Sequence, residues 1–365
     1  MRRLWTLSFI VAGTAACTSF ADPTTVVDLR VLAVKVEPSE IILDADLTDP
    51  AHPIVDPANN PMITVTPLIA DPAGYGRPLT YTISACPNDP FAPAAPGGGQ
   101  GGGAFPSGGA RTTVGSALCD DPEKTWLLTP PTPIEAGSGV SMVPTLVQPM
   151  IDQLTVAFMT DVFPDQYGNL HGGFDLGMPL TLDIAVDAGT ERIRAVKRVL
   201  YWAQRIDAAQ VPNELPRVDD VKVFYERDPD TFDPIDQPQT ITEGTPFDVE
   251  AGRDGVWIMP SPGIAEPFET TVIDPETHHA VPFAVPRETL RYRFFATAGS
   301  FASAVTSSEP APGFVPKGPI HIESRYRLPA ADQIGAGKDV TIWIVVRDDR
   351  GGETWATRTL RLRAP

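Results

Sequence analysis

The chain has 365 residues, 42% of them apolar and 20% charged, enough to build one large hydrophobic core or two ordinary ones. Its 40 prolines and 30 glycines exclude long helical bundles, since each helical proline removes a hydrogen bond and clashes with the preceding turn; a loop-rich β protein is expected instead. A net charge of −18 repels nucleic-acid phosphates and anionic lipid head groups, so nucleic acid is not an expected partner, and the acidity reads as solubility or as divalent-cation binding.

Arg2 and Arg3 precede an apolar run at residues 4–12 (LWTLSFIVA), followed by Gly13, Thr14, Ala15, Ala16 and Cys17. A membrane-spanning helix needs about 20 apolar residues, so this shorter run reads as a cleavable export signal over residues 1–16. Small residues directly before a cysteine resemble the lipobox of bacterial lipoproteins, with Thr14 where that family usually has Leu. The resemblance implies that Cys17 is the lipid attachment site and that its acyl chains anchor the protein to the membrane. Thr18 after the cysteine, where retained inner-membrane lipoproteins carry Asp, implies the outer membrane. A second cleavage point stays open: Ser19-Phe20-Ala21 resembles the site of ordinary signal peptidase, and a cut after Ala21 leaves a soluble periplasmic or secreted protein.

Residues 17–25 read as a lipidated tether. Beyond them, residues 26–36 (VVDLRVLAVKV) form an apolar run that stops at Glu37-Pro38. Residues 62–70 (MITVTPLIA) and 79–85 (LTYTISA) flank a Gly/Pro turn. A Gly/Pro-rich insert over about residues 87–118 follows, bounded by Cys86 and Cys119. Two thiols in an exported chain meet an oxidising compartment and are expected to pair; closing that loop stabilises by roughly 3–4 kcal/mol in the chain-entropy model. No Gly-Lys-Ser/Thr follows the glycines, so they do not read as a phosphate cradle. Leu180, Leu182, Ile184 and Val186 alternate with Thr181, Asp183 and Ala185, the period of a strand. After a turn at residues 187–190, residues 191–202 fit both a returning strand and an amphipathic helix.

The second half echoes the first. Val27-Asp28-Leu29-Arg30-Val31 is matched by Val218-Asp219-Asp220-Val221-Lys222, and Leu79-Thr80-Tyr81 by Leu290-Arg291-Tyr292. The hairpin at 180–200 is matched by one at 340–362, whose turn is Arg347-Asp348-Asp349-Arg350-Gly351-Gly352. Such a duplication implies two modules, at residues 26–205 and 217–365, joined by a polar linker at 206–216. An opening edge strand and a closing strand, acidic-Gly turn and strand resemble immunoglobulin-like sandwiches, of which fibronectin type III and cadherin-like modules share the outline. The resemblance implies an all-β fold of two tandem immunoglobulin-like β-sandwiches, without the Cys…Trp…Cys framework of antibody domains.

Catalytic signatures are absent from the sequence. His278 and His279 are adjacent and point to opposite faces of a strand, while His52, His171 and His321 stand alone as solvated loop residues. No G-x-S-x-G elbow occurs; Ala298-Gly299-Ser300-Phe301-Ala302 and Gly137-Ser138-Gly139 read as turns. Asp228, Asp230, Asp233 and Asp236 form an acidic loop, with Asp44, Asp46 and Asp49 a lesser group; each reads as solvated, with calcium the competing use. Trp343 and Trp355 are expected on one outer hairpin face, there to meet a sugar, a protein or the neighbouring domain. No catalytic, cofactor or metal site is expected. The expectation is a non-enzymatic, lipid-anchored cell-envelope protein with a structural role or a protein- or carbohydrate-binding one. A calcium-stiffened adhesin and an envelope hydrolase or its accessory subunit are the alternatives.

Overall fold

A computed structural model describes residues 22–43, 63–87, 119, 125–134, 162–164, 170–172, 178–203, 213–250, 253–273, 280–310 and 320–363. The signal and Cys17, the glycine run of the insert, Asp44, Asp46 and Asp49, His52, His278, His279 and Gly137-Ser138-Gly139 lie outside the described residues. Among the described residues no helix is long and apolar enough to cross a membrane.

Nearly everything described is strand or loop. The first sandwich holds β1 (Arg30–Glu37), β2 (Glu40–Leu43), β3 (Thr64–Ala70), β4 (Leu79–Pro87), β5 (Trp126–Ile134), β6 (Val162–Pro164), β7 (Leu170–Gly172), β8 (Met178–Asp187) and β9 (Arg192–Ala203). Its main sheet runs β2-β9-β8-β4-β5, and antiparallel β1-β3 packs across it. Leu180, Leu182, Ile184 and Val186 are fully buried and meet Val34, Val36, Val65 and Ile69 from the smaller sheet. Each such side chain stabilises by about 1.5–3 kcal/mol when removed from water. Residues 191–202, open between helix and strand by pattern, belong to a strand: β9 pairs with β8 from Asp187↔Arg192 to Met178↔Tyr201. The β-branched Ile193, Val196 and Val199 favour that pleated ladder.

The second sandwich holds β10 (Val221–Phe224), β11 (Gln239–Thr240), β12 (Phe247–Val249), β13 (Gly255–Pro260), β14 (Phe268–Ile273), β15 (Ala280–Val285), β16 (Arg291–Ala296), β17 (Ser300–Phe301), β18 (Val305–Ser307), β19 (Ser324–Arg327), β20 (Lys338–Arg347) and β21 (Glu353–Leu362). One sheet runs β11-β10-β13-β19-β17 and the other β12-β21-β20-β16-β18; β14 and β15 form a separate hairpin. The second of these sheets repeats the main sheet of the first sandwich position by position. A short edge strand lies parallel to the last strand in both, β2 on β9 and β12 on β21. The matched leucines and tyrosines coincide too: Leu79 and Tyr81 at the start of β4, Leu290 just before β16 and Tyr292 within it, all buried.

The sandwiches lie side by side with sheets stacked. One face of β1-β3 belongs to the first core; the other, with Leu32, Ala33, Leu68 and Ala70, packs on Trp343 and Val345 of β20, flanked by Phe295 and Trp355. A bulge between Val31 and Ala33 shifts the register of β1, which lets the strand present apolar side chains to both neighbours. Residues 22–26 also bind the second sandwich. Val26 N–H donates to Ala296 O (2.8 Å), Ala296 N–H to Thr24 O (2.9 Å), and Phe301 N–H to Thr24 Oγ1 (3.0 Å). Residues 22–25, placed in the tether on sequence grounds, thus form part of that sandwich's edge.

Candidate functional site: the interdomain junction and a groove beside the acidic loop

The outward face of β20-β21 is where Trp343 and Trp355 are expected together, to meet a sugar, a protein or the neighbouring domain. Trp343 and Trp355 do share it, with Val345 opposite Trp355 in the register. Trp343 is only 6% exposed and Val345 fully buried, because the first sandwich covers them. That face is therefore a domain contact.

The turn joining β20 to β21 enters the same junction. Glu353, fully buried, accepts from Val34 N–H (3.2 Å) and Lys197 Nζ (3.2 Å) across the domain boundary, and pairs with Arg347 within its own hairpin. Lys197 also donates to Gly351 O (2.6 Å). Burial pushes the Lys197 ammonium below its ordinary pKa while the Glu353 carboxylate raises it again. Arg350 reaches across to Glu40 of β2, with Glu266 at 3.9 Å and Glu288 at 4.0 Å from its guanidinium. Asp348 accepts from Gly352 N–H (2.7 Å) and from the Asn213 amide (3.0 Å), while Asn213 N–H donates to Glu40 (3.3 Å). Residue 213 comes from the segment read as linker, so the linker is hydrogen-bonded to both modules. Burial raises the pKa of Glu40 and Asp348. Glu288, 1% exposed and close to the Asp348 charge, is pushed up to about 7. Sequence reasoning missed Glu40, Lys197, Asn213, Glu288 and Arg350; the one available signal was a turn with four charges in a row of four residues' length, denser than a solvent-facing hairpin needs.

The acidic loop after β10 is solvated as expected, with Asp230 and Asp233 exposed, and two of its carboxylates order its backbone. Asp228 Oδ1 accepts from Asp230 N–H (2.8 Å) and Thr231 N–H (2.9 Å), which holds its pKa below the usual carboxylate range. Asp236 accepts from Tyr225 N–H (2.9 Å) and Glu226 N–H (2.7 Å). Two of the four carboxylates considered for calcium are therefore turned onto their own backbone. Among the described residues no three acidic, histidine or cysteine side chains converge as metal ligands. Phe232, at φ 64°, sits in the left-handed region that a bulky residue rarely adopts. The Arg227 guanidinium lies 4.6 Å from the ring centres of both Phe232 and Trp257 and pairs with Glu323 (3.0 Å).

Beside this loop runs a groove of about 340 Å³, lined among others by Asp220, Lys222, Asp233, Met259, Ile320 and His321. His321 is not a solvated loop residue: its Nδ1 is 3.0 Å from Glu323, and its ring lies 5.4 Å from that of Phe232. A second hollow, of about 460 Å³, is walled by Asp339 and Arg361, whose charges already meet at 2.9 Å. Cys86 and Cys119 form the disulfide expected of them, with Cα atoms 5.5 Å apart. Cys86 closes β4 opposite Thr181 of β8, so the bridge ties the insert to the middle of the main sheet. Ser300 and Phe301 form the short strand β17, with Phe301 in the core.

No family model and no curated protein sequence matches the chain. Among solved structures, Escherichia coli alpha-2-macroglobulin activated by porcine elastase shares 10% identity at a TM-score of 0.22, over 94% of this chain and 22% of that one. Dimeric latent PorU from Porphyromonas gingivalis gives 9% and 0.17, over 92% of this chain and 24% of that one. The protocadherin gammaB7 EC3-6 cis-dimer gives 16% and 0.14, over 91% of this chain and 52% of that one. The chain thus spans between about a fifth and a half of these structures, and at such TM-scores no function passes from them to it.

Proposed function

We propose that the protein is a non-enzymatic, lipid-anchored component of the cell envelope that holds or presents a binding surface for protein or carbohydrate. The observation that carries this reading is the fusion of two immunoglobulin-like sandwiches through a junction of buried charges, which makes one stiff body rather than a flexible string. The Cys86–Cys119 disulfide supports export, since such bridges persist in oxidising compartments. The small residues before Cys17 support acylation there, with the outer membrane as destination. Growth of cells in radioactive palmitate tests the anchor. The wild-type chain should take up label and remain with membranes, whereas Cys17→Ser should take up none; label retained by Cys17→Ser would reject the anchor.

A further inference from the structure

We infer that the groove beside the Phe232 loop docks a short segment of a partner protein carrying a cationic side chain next to an apolar one. This deepens the binding role proposed above and rests on it. Met259, Pro260 and Ile320 supply an apolar lining, with Ile320 38% exposed; Phe232, next to Asp233 in sequence and with its ring 5.4 Å from that of the lining residue His321, is 46% exposed. The loop holds Phe232 there despite an unfavourable backbone conformation: Phe232 N–H donates to Asp228 O (2.9 Å), Arg227 Nε to Phe232 O (2.8 Å), and Asp228 fastens the turn before it. Arg227 and His321 cover part of the ring, and the rest, left in water, is open to a further apolar contact.

Charge selects the occupant. Asp220 and Asp233 line the groove, and neither carboxylate has an ion-pair partner among the described residues. Glu323, deeper in, is already matched by Arg227 and His321. Lys222 is the cation left on the wall, too little to balance the two aspartates. A cationic side chain lying between Asp220 and Asp233, with an apolar neighbour against Ile320 and Phe232, satisfies both surfaces. An acidic segment is repelled by them, and a second copy of a chain with net charge −18 is repelled as a whole.

The test is a fluorescence-anisotropy titration of the full chain in detergent micelles, corrected against empty micelles, with three short synthetic peptides: Lys alternating with Leu, Glu with Leu, and Lys with Ser. The Lys/Leu peptide should bind saturably and more weakly as salt rises, and the other two should not saturate. Asp220→Asn combined with Asp233→Asn should weaken binding about tenfold and flatten the salt dependence. Phe232→Asn, which tolerates the left-handed conformation and removes the ring, should also weaken binding about tenfold without lowering the melting temperature. Equal binding of the Glu/Leu peptide, unchanged binding by both variants, or no saturable binding of the Lys/Leu peptide would each overturn the proposal. Sedimentation that shows self-association abolished by the aspartate variant would overturn it as well, giving the groove to a second copy. Palmitate labelling of the same chains reads the anchor independently, so failure of the groove and failure of the envelope reading are told apart.

Discussion

The two long hairpins of this protein are built alike and used differently. β8-β9 turns through Asp187-Ala188-Gly189-Thr190-Glu191, and β20-β21 through Asp348-Asp349-Arg350-Gly351-Gly352-Glu353. In each, the leading aspartate caps a glycine N–H, Asp187 to Gly189 at 2.6 Å and Asp348 to Gly352 at 2.7 Å. In each, one glycine takes a positive φ, 85° at Gly189 and 92° at Gly351. The first turn then meets water, its Glu191 reaching Arg77 at the surface. The second is largely buried: its arginine and glutamate bond to the first sandwich, and its leading aspartate to Asn213 of the linking segment. Local turn chemistry makes a hairpin; a few charged side chains with partners on another domain make it a joint.

The largest separation between the two turns should come from their glutamates. Glu353→Ala leaves Lys197 and Arg347 buried without their counter-charge and should cost about 3–5 kcal/mol in urea unfolding. Glu191→Ala, at an exposed pair, should cost about 0–1 kcal/mol. The aspartates should differ less. Asp348→Ala strands the Gly352 N–H and the Asn213 amide and should cost about 2 kcal/mol, against about 1 kcal/mol or less for Asp187→Ala.

The junction also carries a pH dependence. Burial pushes Glu288 up to about 7, well above an ordinary glutamate, so between the ordinary range and about 7 the folded state holds a proton that the unfolded state has lost. Stability therefore falls as pH rises through that window, and the full cost of ionisation is present above it. Glu40 and Asp348, raised by the same burial, act in the same direction. Melting temperatures measured from pH 5 to pH 8 should decline, and Glu288→Gln should flatten that decline without abolishing it. The smallest effect should be shared: Gly189→Ala and Gly351→Ala should each cost about 1 kcal/mol, since both are left-handed and neither new Cβ meets an atom within 4 Å. A much larger loss at Gly351 would place the joint in the backbone of the turn rather than in its side chains.

Much of the fold is legible in local pattern. The alternation of Leu180, Leu182, Ile184 and Val186, the paired L-x-Y segments and the acidic-Gly turns each report a strand or turn through neighbours close in sequence, and the duplication multiplies that signal. Pattern is mute where partners are distant. Glu40 and Arg350 are 310 residues apart, and Lys197 and Glu353 are 156 apart. No spacing rule joins such pairs, and a buried glutamate looks like any surface glutamate until its neighbours are known. Trp343 shows the limit from the other side: its outward face follows from strand period, but only the first sandwich decides that this face is covered. The acidic loop is solvated as its composition implies, but composition cannot say that Asp228 and Asp236 bind their own backbone, or that His321 rests against Phe232.

The central claim is that two sandwiches act as one body because the Arg347–Gly352 turn and Glu353 lock them. Differential scanning calorimetry of the full chain, with its disulfide intact, tests it most directly. The account predicts a single cooperative transition for the wild type, resolving into two when Arg350→Ala and Glu353→Ala are combined. Two separate transitions in the wild type, with the earlier one unmoved by that double variant, would contradict it.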